Sequence, residues 1–371
     1  MSVYPVSPNT VLANALTHAE DVLAPRIKAM RPAGVTFVVG TQINGVPHLG
    51  TSLVQSLSFA AAARVRDRFE VPVTVHFGAL DNAPHEVVTD PVSGHRYQRA
   101  YAHALGESAL VDQVNELYRP LFDELSQQLH IPYAIEMYSQ QQAEERFRRT
   151  WLSAHRRLDA TRWWLDPSHG VPHVRVPCPR PGCGWAEKYA ERTRILLDTD
   201  CAEITAVCLH HGPYETLVHP SGGGYLDLAT LYRNLVKEVL LAEERDRLSV
   251  MVKGGDWVFG SQLVDCAMQA AGLGASGQLP TRLFCPQVVT DTGAKLSKSL
   301  IRDGRAPLPD GAAPWMLDTR MWAGSLPEYA GGLLRMADVL LSDPRHFFRS
   351  YSAGELGRLM TAPATRSISA P

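Results

Sequence analysis

No apolar run in this chain of 371 residues is long enough to cross a bilayer. The opening residues also lack the basic head and apolar core of a secretion leader. Membrane residence and export are therefore not expected, and the chain reads as cytoplasmic. An excess of one charge is missing too. Lys plus Arg number 36 against 38 for Asp plus Glu, a net charge of −2 with neutral histidines, so no chain-wide basic field announces a nucleic-acid partner. Any such contact has to be a local patch. No internal repeat is present, so a stacked-repeat architecture is not expected. The apolar and charged fractions, 45% and 20%, are those of a soluble enzyme, and the length suffices for two domains with a sizeable core.

Cysteine is sparse, with six residues, yet four of them fall between Cys178 and Cys208. In a cytoplasmic chain such clustering favours a metal over disulfides. Cys178-Pro-Arg-Pro-Gly-Cys183 forms a tight turn able to aim two sulfurs at one point, and Cys208-Leu-His-His-Gly supplies a second pair. Four N/S ligands satisfy tetrahedral Zn²⁺. The preferred set is Cys178, Cys183, Cys208 and His211, with His210 as the alternative to His211 and Cys201 as a spare. A closed set of this kind leaves no open position for chemistry, so the expected zinc is structural.

Two stretches far apart point to phosphate chemistry. Residues 42–51, Gln-Ile-Asn-Gly-Val-Pro-His-Leu-Gly-Thr, follow a β-branched apolar run at 35–39 and precede a helical pattern over 52–66. A strand that turns into a helix presents N–H groups and the positive end of a helix dipole, which suit an anion. Gly45 and Gly50 allow backbone to approach it, and His48 can hydrogen-bond it. The second stretch is Lys295-Leu-Ser-Lys298-Ser, whose lysines would reach the same phosphates from a loop. Between them, Lys253-Gly254-Gly255-Asp256 ends a predicted strand at 248–252; the two glycines would admit an adenosine, and Asp256 could accept the ribose hydroxyl hydrogens.

The order strand, helix, strand (35–39, 52–66, 71–77) argues for parallel crossovers and an α/β, doubly wound sheet, with ligands at the carboxyl ends of its strands. Gln42 and Asp81 would both lie there, and Asp81 is a candidate for holding a substrate ammonium. Further helices are expected over the residues up to 31, over 111–129, 141–164, 227–242 and 261–271, and strands over 131–137 and 280–290. Residues 141–164 interleave Arg146, Arg148, Arg149, Arg156, Arg157 and Arg162 with Trp151, Trp163 and Trp164. That composition can hold a nucleic-acid backbone, although an amphipathic helix with its aromatics inward is the preferred reading. The resulting division is 1–171 and 219–304 as two halves of a nucleotide-binding domain, 172–218 as an inserted zinc module, 305–360 as a short helical appendage, and 361–371 as a disordered tail.

The pair His48-Leu-Gly-Thr51 and Lys295-Leu-Ser-Lys298-Ser resembles the two signatures of the class I aminoacyl-tRNA synthetases. Within that class the span from Val35 to Ser299 is most similar to the archaeal-type lysyl-tRNA synthetases, by its Asn-Gly-Val-Pro-His-Leu-Gly string, its Cys/His pieces and its late Gly-Gly-Asp. Thr51 stands where many class I enzymes have a second histidine. The resemblance implies a Rossmann-like core that uses ATP and Mg²⁺ to activate an amino acid and passes it to the acceptor end of a tRNA. It assigns His48, Thr51, Lys295 and Lys298 to catalysis, and Gln42, Gly45, Gly50, Gly254, Gly255, Asp256 and Ser297 to ATP. Residues 300–371 are short for an anticodon-reading domain. Delivery to a non-tRNA acceptor is therefore the second reading, and a non-catalytic tRNA- or amino-acid-binding regulator the third.

Overall fold

A computed structural model describes residues 18–274, 279–290, 292–296, 301, 304–305 and 307–361. Its centre is a five-stranded parallel sheet of β1 (Gly34–Gln42), β2 (Val73–Leu80), β3 (Tyr133–Met137), β4 (Arg247–Gly254) and β5 (Thr281–Cys285), in the order β5-β4-β1-β2-β3. This is the α/β, parallel-sheet class expected from the sequence. Val35, Phe37, Val38 and Val39 of β1 are buried on both faces of the strand, as a central parallel strand covered by helices requires. The chain leaves β1 toward β2 on one side and later returns with β4 on the other. The carboxyl ends of β1 and β4 are thus a topological switch point, where open α/β sheets bind ligands.

The helix Leu49–Phe69 follows β1 and sinks Leu49, Leu53, Leu57 and Phe59 into the core beneath the sheet. Proline and local geometry divide several elements that periodicity had run together. The stretch 111–129 is two helices, Glu107–Leu117 and Arg119–Leu129, hinged at Tyr118, because Pro120 has no N–H for a continuous ladder. The stretch 141–164 divides into Glu145–His155 and Leu158–Leu165. Pro286 splits 280–290 into β5 and a short strand, Val288–Val289. The helix expected from 227 starts at Thr230, because Asp227 and Leu228 instead pair with Val174 and Arg175.

A hairpin of strands Pro84–Thr89 and Arg96–Ala100, absent from the sequence expectation, continues through Trp185–Glu187 as a three-stranded sheet. The Cys/His region is accordingly tied to the first half of the chain rather than closed on itself. The four-stranded meander Arg194–Leu197, Ala202–Cys208, Gly212–His219 and Gly222–Gly223 lies beside it. The segment expected as an appendage carries the helix Leu326–Ser342, whose Tyr329, Leu333, Met336 and Leu340 are buried in the main core. The expected disordered tail falls, from residue 362, outside the described residues. Among the described residues no helix is long and apolar enough to cross a membrane.

Candidate active site

A cavity of about 700 Å³ opens at the switch point, within the size range of small-molecule sites. Its lining runs from Val38–Gln42 at the end of β1 through His48, Gly50 and Thr51 at the helix start, to Lys253, Gly254 and Asp256 beyond β4, and to Lys295 and Leu296. The two stretches that the sequence singled out therefore face one space.

His48 is the N-cap of the helix Leu49–Phe69, and its Nδ1 accepts a hydrogen bond from the Gly50 N–H at 3.1 Å. The His48 carbonyl takes the N–H groups of Thr51 and Ser52. Much of the donor capacity expected for an anion at this helix end is thus met by His48 itself. The compensation lies in the ring. With Nδ1 accepting, the neutral imidazole carries its proton on Nε2, which becomes a fixed donor. Gly50 is required for this arrangement, because a Cβ there would lie 2.9 Å from Cε1 and 3.2 Å from Nδ1 of His48.

The loop before His48 is braced by residues the sequence reading did not single out. Tyr118 donates through its hydroxyl to the carbonyl of Gly45 at 3.1 Å, and Gln113 Nε2 donates to the Ile43 carbonyl at 2.7 Å. Gly45 has φ 146°, open to glycine but not to ordinary side chains. A polar side chain on a helix that otherwise packs inward was the available signal for Tyr118. Asn44 Nδ2 bonds Gln42 Oε1 at 3.3 Å, and both side chains line the cavity.

Across the cavity, the Lys295 ammonium meets Asp256 Oδ2 at 2.5 Å. Gly254 lets the Asp256 carboxylate fold back, for a Cβ there would be 2.6 Å from Oδ1. Gly255 does not line the cavity and packs toward Cys285 and Gln287. Lys253 is buried and pairs with Glu238 at 2.7 Å, and Glu238 also pairs with the buried Arg282, which reaches Asp265 at 2.7 Å. Ser297 and Lys298 lie outside the described residues.

Asp81 is corrected by its placement. It is fully buried and absent from the cavity lining, because the chain turns inward after β2 and its carboxylate accepts the Ser139 N–H at 3.0 Å. Burial pushes this carboxyl up to about 6. It caps the short helix Tyr138–Gln141 instead of facing a substrate ammonium.

The Cys/His set is assembled. Cys178 and Cys208 sulfurs each lie 3.5 Å from His211 Nδ1, Cys183 and Cys208 sulfurs are 3.4 Å apart, and all four ligand atoms lie within 4.8 Å of one another. Tetrahedral bonds of about 2.0–2.3 Å to nitrogen and sulfur give ligand separations of about 3.4–3.8 Å, so the set fits Zn²⁺. His210 turns away to meet the Trp185 ring edge-on at 6.0 Å, and Cys201 is outside the group.

In the basic aromatic stretch, Trp151 is buried and Arg148 is buried with its Nε on the Gln142 carbonyl. Arg149 is paired with Glu145. Trp163 and Trp164 remain exposed, with the Arg162 guanidinium 5.6 Å from the Trp163 ring.

No protein-family profile matches this chain. No curated protein matches it either. Among solved structures it is similar to Mycobacterium tuberculosis methionyl-tRNA synthetase in complex with methionyl-adenylate, at 14% identity and a TM-score of 0.42, over 88% of this chain and 68% of that one. A second structure of Mycobacterium tuberculosis methionyl-tRNA synthetase, bound by methionyl-adenylate (Met-AMP), is similar at 11% identity and a TM-score of 0.39, over the same shares.

Proposed function

We propose that this chain joins an amino acid to AMP, using ATP and releasing pyrophosphate, as the catalytic core of a class I aminoacyl-tRNA synthetase does. One observation carries the reading: His48 and Lys295, remote in sequence, face a single cavity at the switch point of a parallel sheet, with the Gly254–Asp256 turn between them. In the reaction a carboxylate oxygen of the amino acid forms a bond to the α-phosphorus as the bond from that phosphorus to the pyrophosphate oxygen breaks. No protein nucleophile is needed. The work of the chain is positioning and charge stabilisation.

His48 Nε2–H is the donor toward the phosphates, held in its tautomer by the Gly50 N–H. Lys295 now rests on Asp256, and the pair is half-exposed, with side-chain exposures of 56% and 32%. Exposed ion pairs of this sort contribute about 0–1 kcal/mol. ATP can therefore exchange the pair for two better contacts, Lys295 on the triphosphate and Asp256 on the ribose hydroxyls. Asp256 is the only carboxylate among the described lining residues, so the cavity offers no separate Mg²⁺ cage; magnesium would be carried by the phosphates and would offset their charge.

The Cys178, Cys183, Cys208 and His211 set is assigned to structural Zn²⁺, which would fasten the two strand systems of that region. Transfer of the activated group to the acceptor end of a tRNA is the proposed second step, and exposed Trp163, Trp164 and Arg162 are the stacking and phosphate-binding groups available for it. The deciding test is amino-acid-dependent exchange of pyrophosphate into ATP. Lys295→Ala should slow it by about 10²- to 10³-fold. Absence of exchange with every amino acid, in protein that binds ATP, would remove the proposal.

A further inference from the structure

The helix Thr230–Glu243 turns two cations, Arg233 and Lys237, toward the cavity from successive turns. Several deeply buried charges of the fold are paired, Arg175 with Asp227, Lys253 with Glu238, and Arg282 with Glu238 and Asp265, while buried Arg148 rests on the Gln142 carbonyl. Arg233 is only 5% exposed, yet among the described residues no hydrogen bond or ion pair reaches its guanidinium, which lies 5.6 Å from the centre of the Tyr138 ring. Asp227 attracts it at a distance but is already saturated, accepting two bonds from Arg175 and one each from Asn82 and Gln98. Lys237 likewise has no hydrogen-bond or ion-pair partner among the described residues, and its ammonium lies 3.3 Å from where a side chain on Gly78 would begin. Burial pulls this amine down to about 8, with Glu136 and Glu238 acting against the shift at a distance and Lys253 and Arg233 adding to it. Cations taken out of water with no carboxylate in contact are costly, and a carboxylate brought by a ligand would offset that cost.

The position of the two cations says which part of a substrate they meet. Lys237 overlies Gly78 near the end of β2, and Leu80 and Gln141 line the same flank. Gly254, Asp256 and Lys295 belong to the β4 side, and β1 lies between the two flanks in the sheet order. With the nucleotide on the β4 side, the β2 flank is left for the amino acid. Resting on the adenylation reading above, we propose that Arg233 and Lys237 bind a carboxylate on the side chain of the activated amino acid. The substrate class is then dicarboxylic, and lysine, whose side-chain ammonium would meet these two cations, is rejected.

The test is a pyrophosphate-exchange panel on the unaltered chain with aspartate, glutamate, their amides, lysine and the neutral amino acids. A dicarboxylic substrate should exceed its own amide by at least 100-fold in kcat/KM, since a site built around a charged partner discriminates strongly against its absence. Arg233→Gln and Lys237→Met should each raise KM for that substrate by about 10-fold or more while KM for ATP holds, and Arg233→Lys should restore part of the loss. Thermal stabilisation by aspartate or glutamate beside a non-hydrolysable ATP analogue provides a second readout, independent of chemistry. Exchange confined to neutral or basic amino acids overturns the proposal and leaves adenylation standing. Stabilisation by a dicarboxylic amino acid without any exchange leaves the carboxylate site standing and overturns adenylation. Neither response, with any amino acid, overturns both. The panel on the unaltered chain decides even where a variant fails to fold.

Discussion

Gly50→Ala separates the proposed catalytic role of the His48 helix end from its structural one. The new methyl group would sit 2.9 Å from His48 Cε1 and 3.2 Å from Nδ1. Restoring a carbon–carbon separation of about 3.5 Å requires the imidazole to retreat by about 0.6 Å, and the bond from the Gly50 N–H is then lost or bent. That bond is worth about 0.5–1.5 kcal/mol. Alanine in place of glycine within a helix returns about 0.5–1 kcal/mol, and Gly50 has no positive φ that would forbid it. The two effects nearly cancel, so the urea midpoint should move by less than about 1 kcal/mol equivalent. Activity should not be spared. A displaced, wrongly oriented donor costs on the order of 10²-fold, about 2–3 kcal/mol of barrier. Pyrophosphate exchange and urea denaturation on the same preparations give both quantities. His48→Ala should show a similar loss of exchange, and the double variant should be little worse than either single one, because both act through one group. Unchanged exchange in the Gly50 variant would refute the assignment of His48.

Glu238→Gln leaves Lys253 without its buried counter-charge and Arg282 with Asp265 alone; a loss of about 3 kcal/mol with an unchanged denaturant slope is expected, and a loss under 1 kcal/mol would contradict the network. Elemental analysis of protein prepared without added metal should find one zinc per chain, and Cys208→Ser should lower thermal stability more than Cys266→Ser, which lies on the helix Val258–Ala270 away from the cluster. Because burial raises Asp81 to about 6, the folded chain holds a proton that the unfolded chain, with its carboxyl near 3.8, has released. The contribution of Asp81 to stability must therefore fall as pH rises from about 4 to 6, by up to about 3 kcal/mol. Asp81→Asn should flatten that part of the profile in urea titrations at successive pH values; a variant with the same slope as the parent would rule the carboxyl out.

Legibility followed physical range. β1 and the helix after it were readable because a β-branched run and a 3.6-residue pattern are local signals, and the site residues Gln42, His48 and Gly254 sit at element ends that those signals locate. Breaks inside helices were harder: Tyr118 ends one helix and Pro120 opens the next, yet apolar periodicity runs across the junction. The hairpin 84–100 escaped because its strand Pro84–Thr89 is mostly exposed, so little apolar alternation marks it. Asp81 was misplaced for a related reason. Its position at a strand end was correct, but whether the chain turns into the cavity or beneath it depends on Ser139, which sequence spacing cannot align with it. Nothing in the sequence separates Arg233 and Lys237 from ordinary helix cations; their place on the cavity wall with no carboxylate in contact emerges only in three dimensions.

The segment from residue 307 onward bears directly on the site. Thr319 N–H donates to the Pro47 carbonyl at 3.2 Å, one residue before His48. The helix Leu326–Ser342 packs on the helix Leu49–Phe69 and on Arg119–Leu129, and Arg64 reaches the Leu341 carbonyl at 2.7 Å. Tyr118, at the head of the second of those helices, holds the Gly45 carbonyl. The loop that carries His48 is therefore fixed from both sides by elements packed in one core, and residues 307–361 are part of that brace. A catalytic group that works by position needs such support, since the misplacement of a donor by 1 Å is enough to lose most of its effect. Removing this segment would take Leu333, Met336 and Leu340 out of the core, expose the faces of the helices Leu49–Phe69 and Arg119–Leu129 against which their helix packs, and release Pro47 together, so folding and catalysis would fail for the same reason.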